Sequence, residues 1–190
     1  YEMTANTRLE SRMSGQTSWV QIPALLNNLP DYYPYRLLDF GCGRNWPAIE
    51  KHLRMKKCKP VGYGPYWLPN VSLEWLMVLQ NWAEFEVITC CNVLNVQPDD
   101  EHIEDIVQTI IQDLAGPETL VYFQVYERNK SGIVERTRDG YQQNKPLDAY
   151  FKAIQKYGVI AGVNRGKHYV SCKKQRVQRV SSLSPVKTSV

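Results

Sequence analysis

Two kinds of apolar run alternate along this chain. YRLLDF (Tyr35 to Phe40), KPVGYG (ending at Gly64), EFEVITCCNVLNV and TLVYFQVYE are short runs of strand length. The third is almost continuously apolar, as expected of a strand covered on both faces. Between them the spacing becomes helical. Ile49 and Leu53 lie one turn apart, and Ile103, Ile106, Val107, Ile110, Ile111 and Leu114 recur at three- and four-residue intervals. Pro98-Asp99-Asp100 is a start signal for that helix, and Gly116-Pro117 stops it. A further helix is predicted over LDAYFKAIQKY, and GVIAGVNRGKHYVSCK reads as two strands around Asn164-Arg165-Gly166, a hairpin with Gly166 available for positive φ.

Strand and helix in alternation imply an α/β domain with a mostly parallel sheet, and the closing hairpin makes the last strand antiparallel. Residues 1–30, polar and then apolar through SWVQIPALLNNL, form an N-terminal helical arm; 31–174 form the domain; 175–190 form a polar, Ser-rich tail. RNKSGIVERTRDGYQQNKP, beyond the fourth strand, is polar without a clear period, as lids and substrate loops often are.

Composition narrows the class. At 190 residues, with 43% hydrophobic and 22% charged residues, the chain is long enough for one domain with a packed interior. No apolar run approaches the roughly 20 residues that cross a bilayer, and the first residues lack a secretion-signal pattern, so a cytoplasmic protein without a membrane partner is expected. The five cysteines show no C-x-x-C pair, which suggests reduced thiols and no metal site. The net charge is +4, and the stretch from Lys167 to Lys187 is basic with no acid; solubilising charge is the simpler account, and nucleic acid is the partner it would otherwise suit.

The chemistry concentrates in LLDFGCGRN. Gly41 and Gly43 let a ligand approach the backbone, and Asp39 ends the strand beside them. A carboxylate next to a loop without Cβ atoms suits a cationic amino-acid ligand. No third glycine completes a dinucleotide fingerprint and no Walker lysine follows, so a nucleotide phosphate is disfavoured.

With these residues in view, DFGCG resembles motif I of class I methyltransferases that use S-adenosylmethionine (SAM), CCNVLNV resembles their fourth-strand motif, and the terminal hairpin is similar to their antiparallel sixth and seventh strands. The resemblance spans roughly Tyr35 to Cys172. It implies a Rossmann-like, seven-stranded, mostly parallel sheet, SAM as cofactor, and an unidentified methyl acceptor. The V-L-N-V form and the later T-R-D-G-Y-Q-Q-N stretch resemble small methyltransferases of phages and DNA-modification systems. Carried over by position, Asp39, Gly41, Cys42, Gly43, Gly64, Tyr66, Asn92, Val93 and Leu94 would bind the cofactor. Arg136, Arg138, Tyr141 and Gln142 would line the substrate loop, with a solvated loop face as the equal alternative.

The pattern also departs from the family. Gly64 stands where an acidic residue normally holds the ribose hydroxyls, the acid that the family carries near the adenine after its third strand is not evident between Tyr66 and Glu86, and Asn45 replaces a frequent glycine. Asn95 suits a cap as well as a ligand contact, and Cys90 and Cys91 suit core filling. His52, His102 and His168 form no ligand pair and are expected at the surface. Methyl transfer needs alignment more than a particular base, so no catalytic residue is named. The N-P-P-Y clamp of amino-methylating DNA enzymes is missing. A SAM-binding module without turnover and a SAM-cleaving enzyme are the alternatives.

Overall fold

The computed structural model describes residues 22–29, 34–65, 67–137 and 140–175. Strands β1 (Tyr35–Phe40), β2 (Cys58–Tyr63), β3 (Val87–Cys91) and β4 (Leu120–Gln124) are joined by parallel pairing of β1 with β2, β1 with β3, and β3 with β4. Strand β8 (Tyr169–Lys174) runs antiparallel to β4 and pairs on its other side with β7 (Gly158–Asn164). The order across the sheet is β2-β1-β3-β4-β8-β7, and a separate small hairpin joins β5 (Glu135–Thr137) to β6 (Gly140–Gln142).

Both faces of the central strands are covered, which is why their sequences show no alternation. On one face α1 (Ala24–Asn27) and α2 (Trp46–Met55) bring Leu25, Leu26, Trp46, Ile49 and Leu53 against Leu37 and Val87. On the other, Leu76 of α3 (Leu73–Trp82), Ile103, Ile106 and Val107 of α4 (Asp100–Gln108) and Ile154 of α5 (Phe151–Tyr157) pack on Leu38, Phe40, Ile88, Val121 and Phe123. Helix α3 begins where the Ser72 hydroxyl accepts from the Trp75 N–H at 3.1 Å, and α4 where the Asp99 carboxylate accepts from the His102 N–H at 2.9 Å. The long periodic run after Asp99 continues past α4 as a π-helical turn over Thr109–Leu114, which keeps Ile110, Ile111 and Leu114 inward.

Two expectations change. Among the described residues the main sheet has six strands, not seven: Gly64 to Ser72 is too short a link for another strand with its helix, and β2 becomes the edge. Pro60, which cannot donate a ladder hydrogen bond, is tolerable in such an edge strand. The apolar run over EFEVITCCNVLNV is not one strand. It ends at Cys91, Asn92 turns into the left-handed region at φ 59°, and Leu94–Val96 form a 3₁₀ turn. The described end of the N-terminal arm packs into the core: Leu25, Leu26 and Leu29 are buried, and the Leu25 N–H donates to the Gln124 side-chain oxygen at 2.8 Å. The remainder of the arm (1–21) and the tail from 176 onward lie outside the described residues.

Candidate active site at the switch point of the sheet

From β1 the chain steps outward to β2 and then returns across β1 to β3, so the direction of winding reverses between β1 and β3. Open α/β sheets bind ligands outside the carboxyl ends of the strands at such a reversal. The glycine turn after β1 and the turn after β3 meet there.

Gly41 and Gly43 have φ of +82° and +65°, and the Gly41 and Cys42 N–H groups both donate to the Tyr63 carbonyl, at 2.7 and 2.9 Å. This folds the turn over the end of β2. A Cβ on Gly41 would stand 2.3 Å from Cγ2 of Val93, so the turns after β1 and β3 touch only because Gly41 has no side chain. The carbonyl of Gly64 accepts from the Trp67 and Leu68 N–H groups, and a Cβ at Gly64 would lie 3.3 Å from the Cys42 sulfur and 3.6 Å from the Gly43 nitrogen.

Asp39 is 2% exposed, and its Oδ1 accepts from the Thr89 hydroxyl on β3 at 2.8 Å. Burial pushes its carboxyl up to about 6 against the opposing pull of Thr89. Asp39 therefore sits inside the sheet's rim, not in an open crevice. Burial, reinforced by the neighbouring Asp39 charge, also drives the Cys42, Cys90 and Cys91 thiols far above their ordinary range, so these cysteines are inert packing. At the head of the second turn the Asn92 side-chain oxygen is buried without a hydrogen-bond partner among the described residues. Leu94 is fully buried in the core, and the Val93 carbonyl accepts from the Gln97 amide at 2.8 Å. Tyr66 and Arg138 lie outside the described residues.

The substrate-loop residues divide. Arg136 and Tyr141 face each other across the β5–β6 hairpin, Arg136 exposed and Tyr141 half-buried. Gln142 is buried, donates to the Tyr126 carbonyl at 3.1 Å and accepts from the Asn95 amide at 3.4 Å. Next to it the Gln143 amide donates to the Gln97 carbonyl at 2.6 Å, and the Gln143 N–H to the Asn95 carbonyl at 2.8 Å. Gln142 is thus a strut that fastens the hairpin to the turn after β3. Sequence reading saw Asn95 and Gln142 separately; nothing in their spacing of 47 residues announced the pair. It also passed over Thr89, a polar residue hidden in an apolar strand.

Fold and glycine turn define a class: a Rossmann-like domain of the kind found in SAM-dependent methyltransferases. Among solved structures the chain is similar to the PH0226 protein from Pyrococcus horikoshii OT3, with TM-score 0.50 and 9% identity over 80% of this chain and 87% of that one. It is also similar to the sugar N-methyltransferase KedS8 from Streptoalloteichus sp ATCC 53650, with TM-score 0.51 and 8% identity over 75% and 81% of the two chains. The mitomycin 7-O-methyltransferase MmcR matches with TM-score 0.50 and 12% identity over 80% of this chain, which spans about half (52%) of MmcR. At these identities the likeness is one of fold, and the narrower resemblance to phage and DNA-modification enzymes has no counterpart among the three. No protein-family model matches the chain, and no curated protein matches it.

Proposed function

We propose that this chain is a SAM-dependent methyltransferase. The observation that carries the reading is the junction of the Asp39-Phe40-Gly41-Cys42-Gly43 turn with the turn at Asn92 and Val93, where the parallel strands reverse their winding between β1 and β3. Among the described residues the unpartnered Asn92 carbonyl is the acceptor there for the ammonium of SAM, while Asp39, held under the rim by Thr89, and Gly41, closed by Val93, shape the turn from beneath. When bound, SAM supplies a methyl group on a sulfonium that an aligned nucleophile displaces in line. The protein's own part is to hold that group, to shield it through the buried rim, and to seat the acceptor under the β5–β6 hairpin, where Arg136 and Tyr141 are the candidate contacts.

The ribose half fits less well, since Gly64 offers no carboxylate. This favours a second reading, a SAM-binding module that has lost turnover. Of the basic stretch, Lys167, Lys173 and Lys174 are engaged by Asn28, Glu118 and the carbonyls of Gln112 and Ala115, and the part from residue 176 onward lies outside the described residues. No helix among the described residues is long and apolar enough to cross a membrane.

Calorimetric titration with S-adenosylhomocysteine (SAH) decides the first point: saturable binding is expected, and none at millimolar ligand removes the proposal. The Gly64→Asp variant decides the second. Tighter SAH binding with transfer appearing only in the variant means the chain is the non-catalytic module, whereas methyl transfer by the wild-type protein rules that out. Incubation with SAM alone separates transfer from cleavage, because a transferase leaves the cofactor intact.

A further inference from the structure

Helix α3 is apolar on its outer side as well as on its inner one. Leu76 is fully buried, and Leu73, Met77 and Gln80 around it are half-buried against the core. The opposite face of such a surface helix normally carries charged and polar residues. Here it carries Trp75, Val78 and Trp82, which lie three and four residues apart in one stripe and are 47%, 55% and 85% exposed. Glu74, to one side of the stripe in the first turn, is the only charged residue of the helix. The Ser72 cap fixes the start of the helix, so the stripe is presented ready-formed and little ordering is lost when it is covered.

The stripe is open because of where the sheet ends. Helix α5 packs on α4, and α3 packs on the π-helical turn that continues α4, so α3 closes the row of helices on the side of β2, which it follows in the chain. Strand β2 is the edge of the sheet, and the described part of Gly64 to Ser72 builds no further strand or helix to stand outside α3. The described segments nearest the two chain ends lie elsewhere: α1 covers the opposite face of the sheet, and β8 runs beside β7 at the other edge. A lone exposed apolar side chain needs no explanation, but a contiguous apolar patch marks an interaction site.

We propose that α3 is the contact of a symmetric homodimer, in which the Trp75, Val78 and Trp82 stripe packs on the same stripe of a second copy. Charge and shape choose this occupant. The helix holds no lysine or arginine, so it offers nothing to nucleic acid or to an anionic membrane, both of which are gripped by basic side chains. The stripe is uncharged and self-complementary: a two-fold axis at Val78 and Leu79, with the helices antiparallel, sets Trp75 of each copy beside Trp82 of the other and leaves Glu74 at the solvated rim. Area agrees. At roughly 200 Å² for a whole side chain, the exposed parts of the two tryptophans come to about 260 Å² per copy and about 520 Å² across the pair. That is more than a third of the ~1,200 Å² at which specific interfaces begin, before Val78 and the flanking residues are counted. Tryptophan is also the residue type that most often anchors such contacts.

Sedimentation velocity of the wild-type protein from about 1 μM to about 1 mM, the span of weak specific complexes, is expected to show a monomer passing into a dimer. A monomer throughout overturns the proposal; if that monomer binds neutral phosphatidylcholine vesicles, the stripe is a membrane contact instead. Trp82→Glu and Val78→Glu, each made alone, are expected to raise the dissociation constant of the dimer by about thirty-fold or more, the loss that follows removal of an interface anchor. Both side chains are exposed in the monomer, so at high dilution the variants should unfold at the wild-type urea midpoint, which separates lost association from lost folding. Met55, 77% exposed on α2 across the sheet, is the control, and Met55→Glu should dimerise as the wild type does. A dimer that Trp82→Glu and Val78→Glu leave intact, or that Met55→Glu weakens equally, is built on another face, and the proposal fails.

Discussion

Asp39 carries opposing demands. Its folded carboxyl, raised by burial to about 6 from an ordinary 3.8, holds a proton in the native state that the unfolded chain has already lost between those values. Stability from this group is therefore greatest below about pH 4 and falls as pH rises to 6, above which the whole cost of the buried charge is present. Asp39→Asn, which keeps an acceptor for the Thr89 hydroxyl, is expected to stabilise the fold at pH 8 by on the order of 2–3 kcal/mol and to give no gain at pH 4. Urea unfolding at the two pH values checks the sign, and equal gains at both would refute the linkage. The carboxylate was legible in the sequence because it follows an apolar strand and precedes two glycines. Its partner Thr89 was not, because a hydroxyl in a strand advertises nothing until the register sets it opposite Asp39.

At the scale of elements, periodicity located most strands and helices, but it misjudged how they end. The apolar run after Phe85 looks like one long strand because solvent is excluded from both strand and turn; only the left-handed Asn92 and its N–H bond to the Gln124 carbonyl divide them. The polar segment after β4 has no period because it is pinned by side-chain amides instead of by an apolar face. Gln142→Ala leaves the Asn95 amide and the Tyr126 carbonyl without their buried partner, at a cost of about 1–3 kcal/mol. Hydrogen exchange should then quicken over residues 126–146 with β1, β3 and β4 unchanged; uniform acceleration across the sheet would mean that the strut supports the whole domain.

On the scale of the whole molecule, the arm and the sheet form one core. Leu26 is fully buried beneath β1 and α2, so Leu26→Ala is expected to cost about 2–5 kcal/mol, read as a lower unfolding midpoint in urea. A loss below about 0.5 kcal/mol, the range of surface substitutions, would show that the arm is merely tethered. The alternation of strand-length and helix-spaced runs determined the α/β class, the parallel order of the first strands and the position of the glycine turn, because those depend on local periodicity and on which residues tolerate positive φ. Strand count, the sealing of Gly41 by Val93 and the Asn95–Gln142 strut were decided only by tertiary structure. Both contacts join residues 47 or more positions apart, and they follow from how the sheet is wound, which no local pattern encodes.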